Sequence, residues 1–246
     1  MNLLLTWASG KIFKSEEFKV FLRTSKIVNA EKVMFSHDFT PEDVTLVEKY
    51  GFTLIEARNV LDPILDRHFH YWQYLLGKKY EKVLHIDSRD VLFQRDPFDI
   101  DVKKIMFVIE GIPCSASGFH LIEQLEYQKD IPDIFKKSPR VDCILNGGVV
   151  VGTHEAMKSY HLLNWVCSLK SRNVTDQATL NYLFNYLRRD GYEVAPPDYC
   201  LTGEAVKEGF VKPIYENGEF YSPVGKFAIF HQWDRTEYRE DIICNS

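Results

Sequence analysis

Two carboxylates, Asp87 and Asp90, follow an apolar run in the segment KVLHIDSRDVLFQRDPF at residues 82–98. Acids delivered at the C-terminal end of a buried strand stand where α/β folds place their ligands. Oxygen ligands of this kind suit Mn2+ or Mg2+, hard ions that keep positions open for phosphate oxygens. A cation held there would neutralise a diphosphate and stabilise it as a leaving group. On residue type alone, the alternative is a pair of surface aspartates with Arg89 ion-paired to one of them.

Three further segments carry residue types suited to a polar ligand. Asn146-Gly147-Gly148 pairs an amide that can donate to and accept from a hydroxyl with glycines that let backbone approach closely, although a β-bulge explains strand glycines equally well. Thr175-Asp176-Gln177 offers a carboxylate and an amide, or simply a helix cap. The run FAIFHQW at residues 227–233 ends an apolar strand in His231, which alone reads as structural as readily as metal-binding.

The elements that must position these residues alternate between strand and helix. Strands are expected at residues 2–7, 32–35, 52–55, 82–86 and 105–109. Helices are expected from Glu16 after a Ser15 cap, from Pro41 to a stop at Gly51, and at residues 63–76 before Gly77. This alternation argues for a parallel, Rossmann-like sheet. Later come a helix around residues 118–129, a strand at 143–151, and helices at 155–169 and 176–188. The tail carries short strands, an Asn217-Gly218 turn and a last strand at 227–230. His68 and His70 fall on different helix faces, so they are poor joint ligands; His68 reads as a core or pocket-wall residue. Tyr71, Trp72 and Tyr74 read as packing, and Lys136-Lys137 as a solvated turn.

Composition narrows the classes of partner. With 45% hydrophobic and 26% charged residues, the 246-residue chain is ordinary globular sequence. A net charge of −5 without a Lys/Arg run argues against nucleic acid, and an acidic protein that binds a diphosphate needs a cation to offset repulsion. The five cysteines show no CxxC spacing, so reduced, mostly buried thiols in a cytoplasmic protein are expected. No run reaches the roughly 18 apolar residues of a membrane span, and the N-terminus lacks a signal-peptide pattern. Asn173-Val174-Thr175 then reads as a chance sequon.

In their order and spacing the four segments resemble the GT-A fold nucleotide-sugar glycosyltransferases. The branch in question carries D-[ST]-R-D-V-x-F-Q-x-D-P-F in place of a plainer Asp-x-Asp motif. The resemblance runs from the first strand to His231. It implies an α/β fold, a single GT-A domain over 1–246 with a central, mostly parallel sheet flanked by helices and a small antiparallel addition near the C-terminus. Residues 1–100 would form the nucleotide-binding half and 101–246 the acceptor half. The resemblance further implies a metal, Mn2+ or Mg2+, held by Asp87, Asp90 and His231, with Asp90 the stronger candidate for direct ligation. Thr6 and Trp7 match the place that holds the nucleotide base, Arg67 a basic position facing the donor, and Asp87 and Ser88 the donor side of the motif. Asn146, Gly147 and Gly148 resemble the segment beside the transferred sugar, and Asp176 and Gln177 the pair that bonds donor or acceptor hydroxyls.

The activity so implied is transfer of a hexose-type sugar from a nucleoside diphosphate sugar, a UDP-sugar, to a hydroxyl acceptor such as a glycan. Asp176 would deprotonate the acceptor in an inverting enzyme, whereas Asp176 or Gln177 would position the sugar in a retaining one. Two rivals remain. A binding module with the same fold but no turnover is one. A haloacid-dehalogenase-like phosphohydrolase is the other, but it needs a second Asp two residues after the first, where Arg89 stands.

Overall fold

The computed structural model describes residues 1–58, 62–111, 144–169, 176–184 and 191–245. Two nucleating patterns open the chain. Strand β1 (Leu3–Trp7) is apolar on both faces and wholly buried, as a central parallel strand must be. Helix α1 (Glu16–Thr24) starts where Ser15 Oγ accepts the amide of Phe18, the expected cap, and it buries Phe18, Val20, Phe21 and Leu22. After β2 (Glu31–Ser36), helix α2 (Pro41–Glu48) begins with a capping box between Thr40 and Asp43. It ends before the expected stop, and Gly51 (φ 79°) makes the turn into β3 (Phe52–Glu56). Helix α3 (Pro63–Leu75), capped by Asp62, leads to β4 (Lys82–Ile86).

Two short elements and a reversal complete the main sheet. Strand β5 (Val91–Phe93) leaves the main sheet for a separate three-stranded one, and β6 (Ile105–Ile109) returns to it before β7 (Leu145–Thr153), α4 (His154–Ser168) and α5 (Asp176–Tyr182). Strand β8 (Glu193–Val194) then closes the edge. The sheet order is β3-β2-β1-β4-β7-β6-β8, with β7 antiparallel to both neighbours and the other pairs parallel. Phe18, Phe21, Leu84 and Val149 pack on one face; Leu5, Phe35, Tyr71, Val150 and Tyr160 pack on the other. The mostly parallel α/β sheet is thus as expected.

The C-terminal part is built differently. After β9 (Cys200–Thr202) and α6 (Gly203–Lys207) comes an antiparallel sheet of β10 (Ile214–Glu216), β11 (Glu219–Ser222) and β12 (Gly225–Lys226). Asn217 and Gly218 turn the first hairpin with φ of 53° and 81°, the left-handed pair of a type I′ turn. Strand β13 (Ile229–His231) starts later than the expected 227–230 run, because the Phe227 amide donates to the Phe220 carbonyl of β11 and the Ala228 amide to the turn carbonyls of Asp198 and Tyr199. Helix α7 (Arg239–Asn245) ends the described chain.

Several expectations fall on undescribed residues: the helix at 118–129, the turn at Lys136-Lys137, the sequon at 173–175, Cys114 and Cys143, and the end of the helix at 176–188. Cys244 is exposed, against the expectation of buried thiols, while Cys167 and Cys200 are half-buried. No helix among the described residues is long and apolar enough to cross a membrane.

Candidate active site

Strand pairing brings the acids and the histidine together. His231 pairs with Val91 across β13 and β5, and the Gln232 amide donates to the Asp90 carbonyl at 2.7 Å. The end of β13 is thereby pinned against the loop that leaves β4. Nε2 of His231 stands 3.4 Å from Oδ2 of Asp87 and 3.6 Å from Oδ1 of Asp90. One ligand atom from each of the three residues lies within 4.8 Å of the others. Two carboxylates and an imidazole so disposed fit a divalent cation that favours oxygen. Nδ1 of His231 is buried without a partner, so its orientation comes from packing.

Glycines supply the space this requires. A Cβ on Gly148 would lie 2.5 Å from both Oδ2 of Asp87 and Cε1 of His231. One on Gly203 would lie 1.9 Å from the carbonyl oxygen of Gln232, the residue after His231, which itself adopts φ 63°.

Cross-ties fix the two strand ends. Thr6 donates its hydroxyl to the Ile86 carbonyl at 2.7 Å, and Ser88 donates to the Trp7 carbonyl at 2.6 Å. Both hydroxyls are buried. They lock the end of β1 to the end of β4, and Asp87 is held further by its amide donating to the Gly148 carbonyl at 2.9 Å. Beside them opens a cleft of about 330 Å3, walled by Trp7, Ser9, Ile12, Arg67, Asp87 and Arg235 among others. Ser88, Arg89 and Asp90 line it too, whereas Thr6 does not.

Arg67 joins the acid pair to the helix at Asp176. Its guanidinium donates to Asp87 at 2.7 Å and also pairs with Asp176. Burial would raise the Asp87 and Asp176 carboxyls, but Arg67 outweighs it and holds Asp87 well below, and Asp176 below, the usual carboxylate range. Asp90 behaves oppositely: burial, with Asp87 and Asp234 nearby, pushes it up despite His231. Burial lowers His231, yet Asp90 and Asp87 overcome it and raise the imidazole above its ordinary value. Arg89 lies 3.5 Å from Asp90 and donates to Asp234 at 3.1 Å, but Asp90 is buried, so a purely surface pair is excluded.

The remaining expected residues form a second polar group. Asn146 is buried: its amide donates to Oε1 of Glu110 at 2.8 Å, and its oxygen accepts from the Gly148 amide at 2.8 Å. Gln177 donates to the same Glu110 oxygen at 3.0 Å, and Gly147 faces Gln177, where a Cβ would meet the Gln177 Cβ at an ordinary contact distance of 3.4 Å. These residues do not line the cleft beside Trp7. Asp176 also accepts from His68, at 3.1 Å from Nε2.

Sequence reasoning missed Glu110, Ser9, Ile12, Arg235 and the His68 contact. Glu110 could have been found, because it follows an apolar strand as Asp87 does. Ser9, Ile12 and Arg235 carried no comparable signal.

Comparison of folds agrees with this architecture. The chain superposes on the galactosyltransferase LgtC in complex with donor and acceptor sugar analogs, at 14% identity and TM-score 0.57, covering 94% of this chain and 86% of that one. An active-site mutant of LgtC matches over the same shares at 13% identity and TM-score 0.57. The bifunctional glycosyltransferase WbbM, in its apo form, matches at 13% identity and TM-score 0.61, over 98% of this chain and 49% of that one. The fold is that of the GT-A glycosyltransferases. No protein-family model matches the chain, and no curated protein matches it by sequence.

Proposed function

We propose that this chain is a metal-dependent glycosyltransferase that moves a hexose-type sugar from a UDP-sugar to a hydroxyl acceptor, such as a glycan. The observation that carries the reading is the meeting of Asp87, Asp90 and His231, with both acids lining a cleft walled by Trp7 and Arg67. Asp87, Asp90 and His231 would hold Mn2+ or Mg2+. Bound there, the cation neutralises the diphosphate and stabilises it as a leaving group.

The side chains around it divide the remaining work. Trp7 offers an aromatic wall to the nucleotide base, with Ser9 and Ile12 beside it. Thr6 acts behind that wall, and Ser88 serves both as lining and as the tie to Trp7. Arg67 keeps Asp87 ionised, the form in which a carboxylate ligates. Arg89 and Arg235 bring positive charge to the same cleft.

Asn146 and Gln177, gathered by Glu110, together with Gly147 and Gly148 are read as the wall for the transferred sugar. Asp176 is ionised and held by Arg67 and His68. A carboxylate that is paired twice and lowered in pKa is a weak base, so its pairing favours orientation of the sugar over proton abstraction. On this reading residues 1–100 carry most of the nucleotide site, to which His231 and Arg235 are added from the second part, and 101–246 otherwise serve the acceptor.

The test is UDP release from a panel of UDP-sugars with Mn2+, with and without EDTA. Release that needs metal and is lost in Asp90→Ala supports the reading. Tight UDP binding with no release supports a non-catalytic module, and phosphate release from simple monoesters a phosphohydrolase.

A further inference from the structure

Three other histidines meet inside the fold. His68 on α3, His85 on β4 and His161 on α4 are all completely buried where the two helices cover the sheet. Their ring centroids are 5.5 Å (His68–His85), 5.2 Å (His68–His161) and 5.3 Å (His85–His161) apart. One nitrogen from each lies within 4.8 Å of the others. Tyr71 stands edge-on to His85 and His161, and Tyr160 edge-on to His68.

The hydrogen bonds within this group are incomplete. Nε2 of His68 faces the ionised Asp176 at 3.1 Å and so carries a proton, which leaves Nδ1 as a lone pair. That lone pair faces Nδ1 of His161 at 3.0 Å. Both nitrogens of His85 and Nε2 of His161 are buried with no partner. Buried polar atoms are rarely left so. A charged imidazole buried without a counter-charge is costly, so these three completely buried rings are neutral and each presents a lone pair.

We propose that His68, His85 and His161 form a second, buried metal site for a Zn2+-type cation, with Asp176 as the carboxylate behind His68. Three neutral imidazoles suit Zn2+ and disfavour Mn2+ or Mg2+, which prefer oxygen, so the two sites sort their cations by chemistry. A carboxylate on the outer nitrogen of a ligating histidine fixes its tautomer and raises its basicity, and Asp176 occupies that position. A cation would take up the His85 lone pair that the fold otherwise leaves unpartnered and replace the His68–His161 contact. It would also clamp α3, α4 and β4 together. The proposal is independent of the sugar-transfer reading.

The test is metal content. The protein is expressed with added Zn2+, passed through a chelating buffer and analysed by mass spectrometry for zinc, as wild type, Asp90→Asn, His161→Gln and His85→Gln. The expected result is about one zinc per chain in wild type and in Asp90→Asn, falling at least about tenfold in either histidine variant. Should the histidine variants fail to fold, wild-type protein grown with Co2+ decides: intense visible ligand-field bands of a low-coordinate nitrogen site are expected. Zinc lost in Asp90→Asn but kept in His161→Gln overturns the proposal. So does wild type that holds neither zinc nor cobalt with that spectrum.

Discussion

Gly148 makes the room that the His231 imidazole occupies: a Cβ there would lie 2.5 Å from Cε1 of His231, and as close to Oδ2 of Asp87. No rotamer of an alanine methyl relieves that contact, so Gly148→Ala must push the two ligands apart. The expected outcome is a loss of Mn2+ affinity of at least about tenfold in a protein that still folds, measured by calorimetric titration. Unchanged affinity would mean that the two side chains are not joint ligands.

Arg67 is buried between Asp87 and Asp176. Arg67→Met leaves two carboxylates without their cation, and breaking a buried pair in this way costs about 3–5 kcal/mol. Both acids are held below their ordinary values, so their contribution is present above the unfolded carboxyl pKa of about 4 and is lost as pH falls through the folded values. The destabilisation should therefore be largest near neutral pH and shrink in acid. Urea melts of wild type and variant at several pH values measure it; a gap that grows in acid would contradict the pairing.

His231 titrates in the opposite sense. Asp90 and Asp87 raise it against the effect of burial, so the stability it lends the metal-free protein is full below about pH 6.5 and fades as pH rises through the folded value. A metal needs the neutral ring and competes with that proton. The Mn2+-induced rise in Tm should then grow between about pH 6 and about pH 8, and His231→Gln should flatten the trend. A pH-independent rise would remove His231 from the site.

Glu110 collects Asn146 and Gln177 on a single oxygen. In Glu110→Gln the replacement amide can still accept from only one side, so the two amides no longer share a charged acceptor, and each such bond is worth about 1.5–3 kcal/mol. We expect the catalytic rate on a UDP-sugar to fall at least tenfold (about 1.4 kcal/mol) while UDP affinity is unchanged, read by steady-state kinetics and UDP titration. Equal losses in both would mean that Glu110 supports the whole fold rather than the sugar wall.

Much of this arrangement could be read from local chemistry. The Ser15 cap, Pro41, Gly77 and the apolar β4 run each act within a few residues and appear where expected, whereas the helix from Pro41 stops short of Gly51. Their alternation was enough for the sheet. The convergence of Asp87, Asp90 and His231 depended on the order of motifs, since no local signal tells that β13 pairs with β5. Thr6 shows the opposite limit: its position is at the site, yet its hydroxyl is used on Ile86, a partner that only the register of β1 with β4 reveals. The same holds for His68, whose meeting with His85 and His161 arises where separate elements pack.

The most direct measurement is the binding of Mn2+ followed by the loss of its free electron paramagnetic resonance signal, in the presence of UDP. Wild type should take up about one ion per chain, and Asp90→Asn and His231→Ala should each weaken that uptake severely, while His161→Gln leaves it in place. Equal uptake by wild type, Asp90→Asn and His231→Ala would contradict the assignment of these residues as the metal centre.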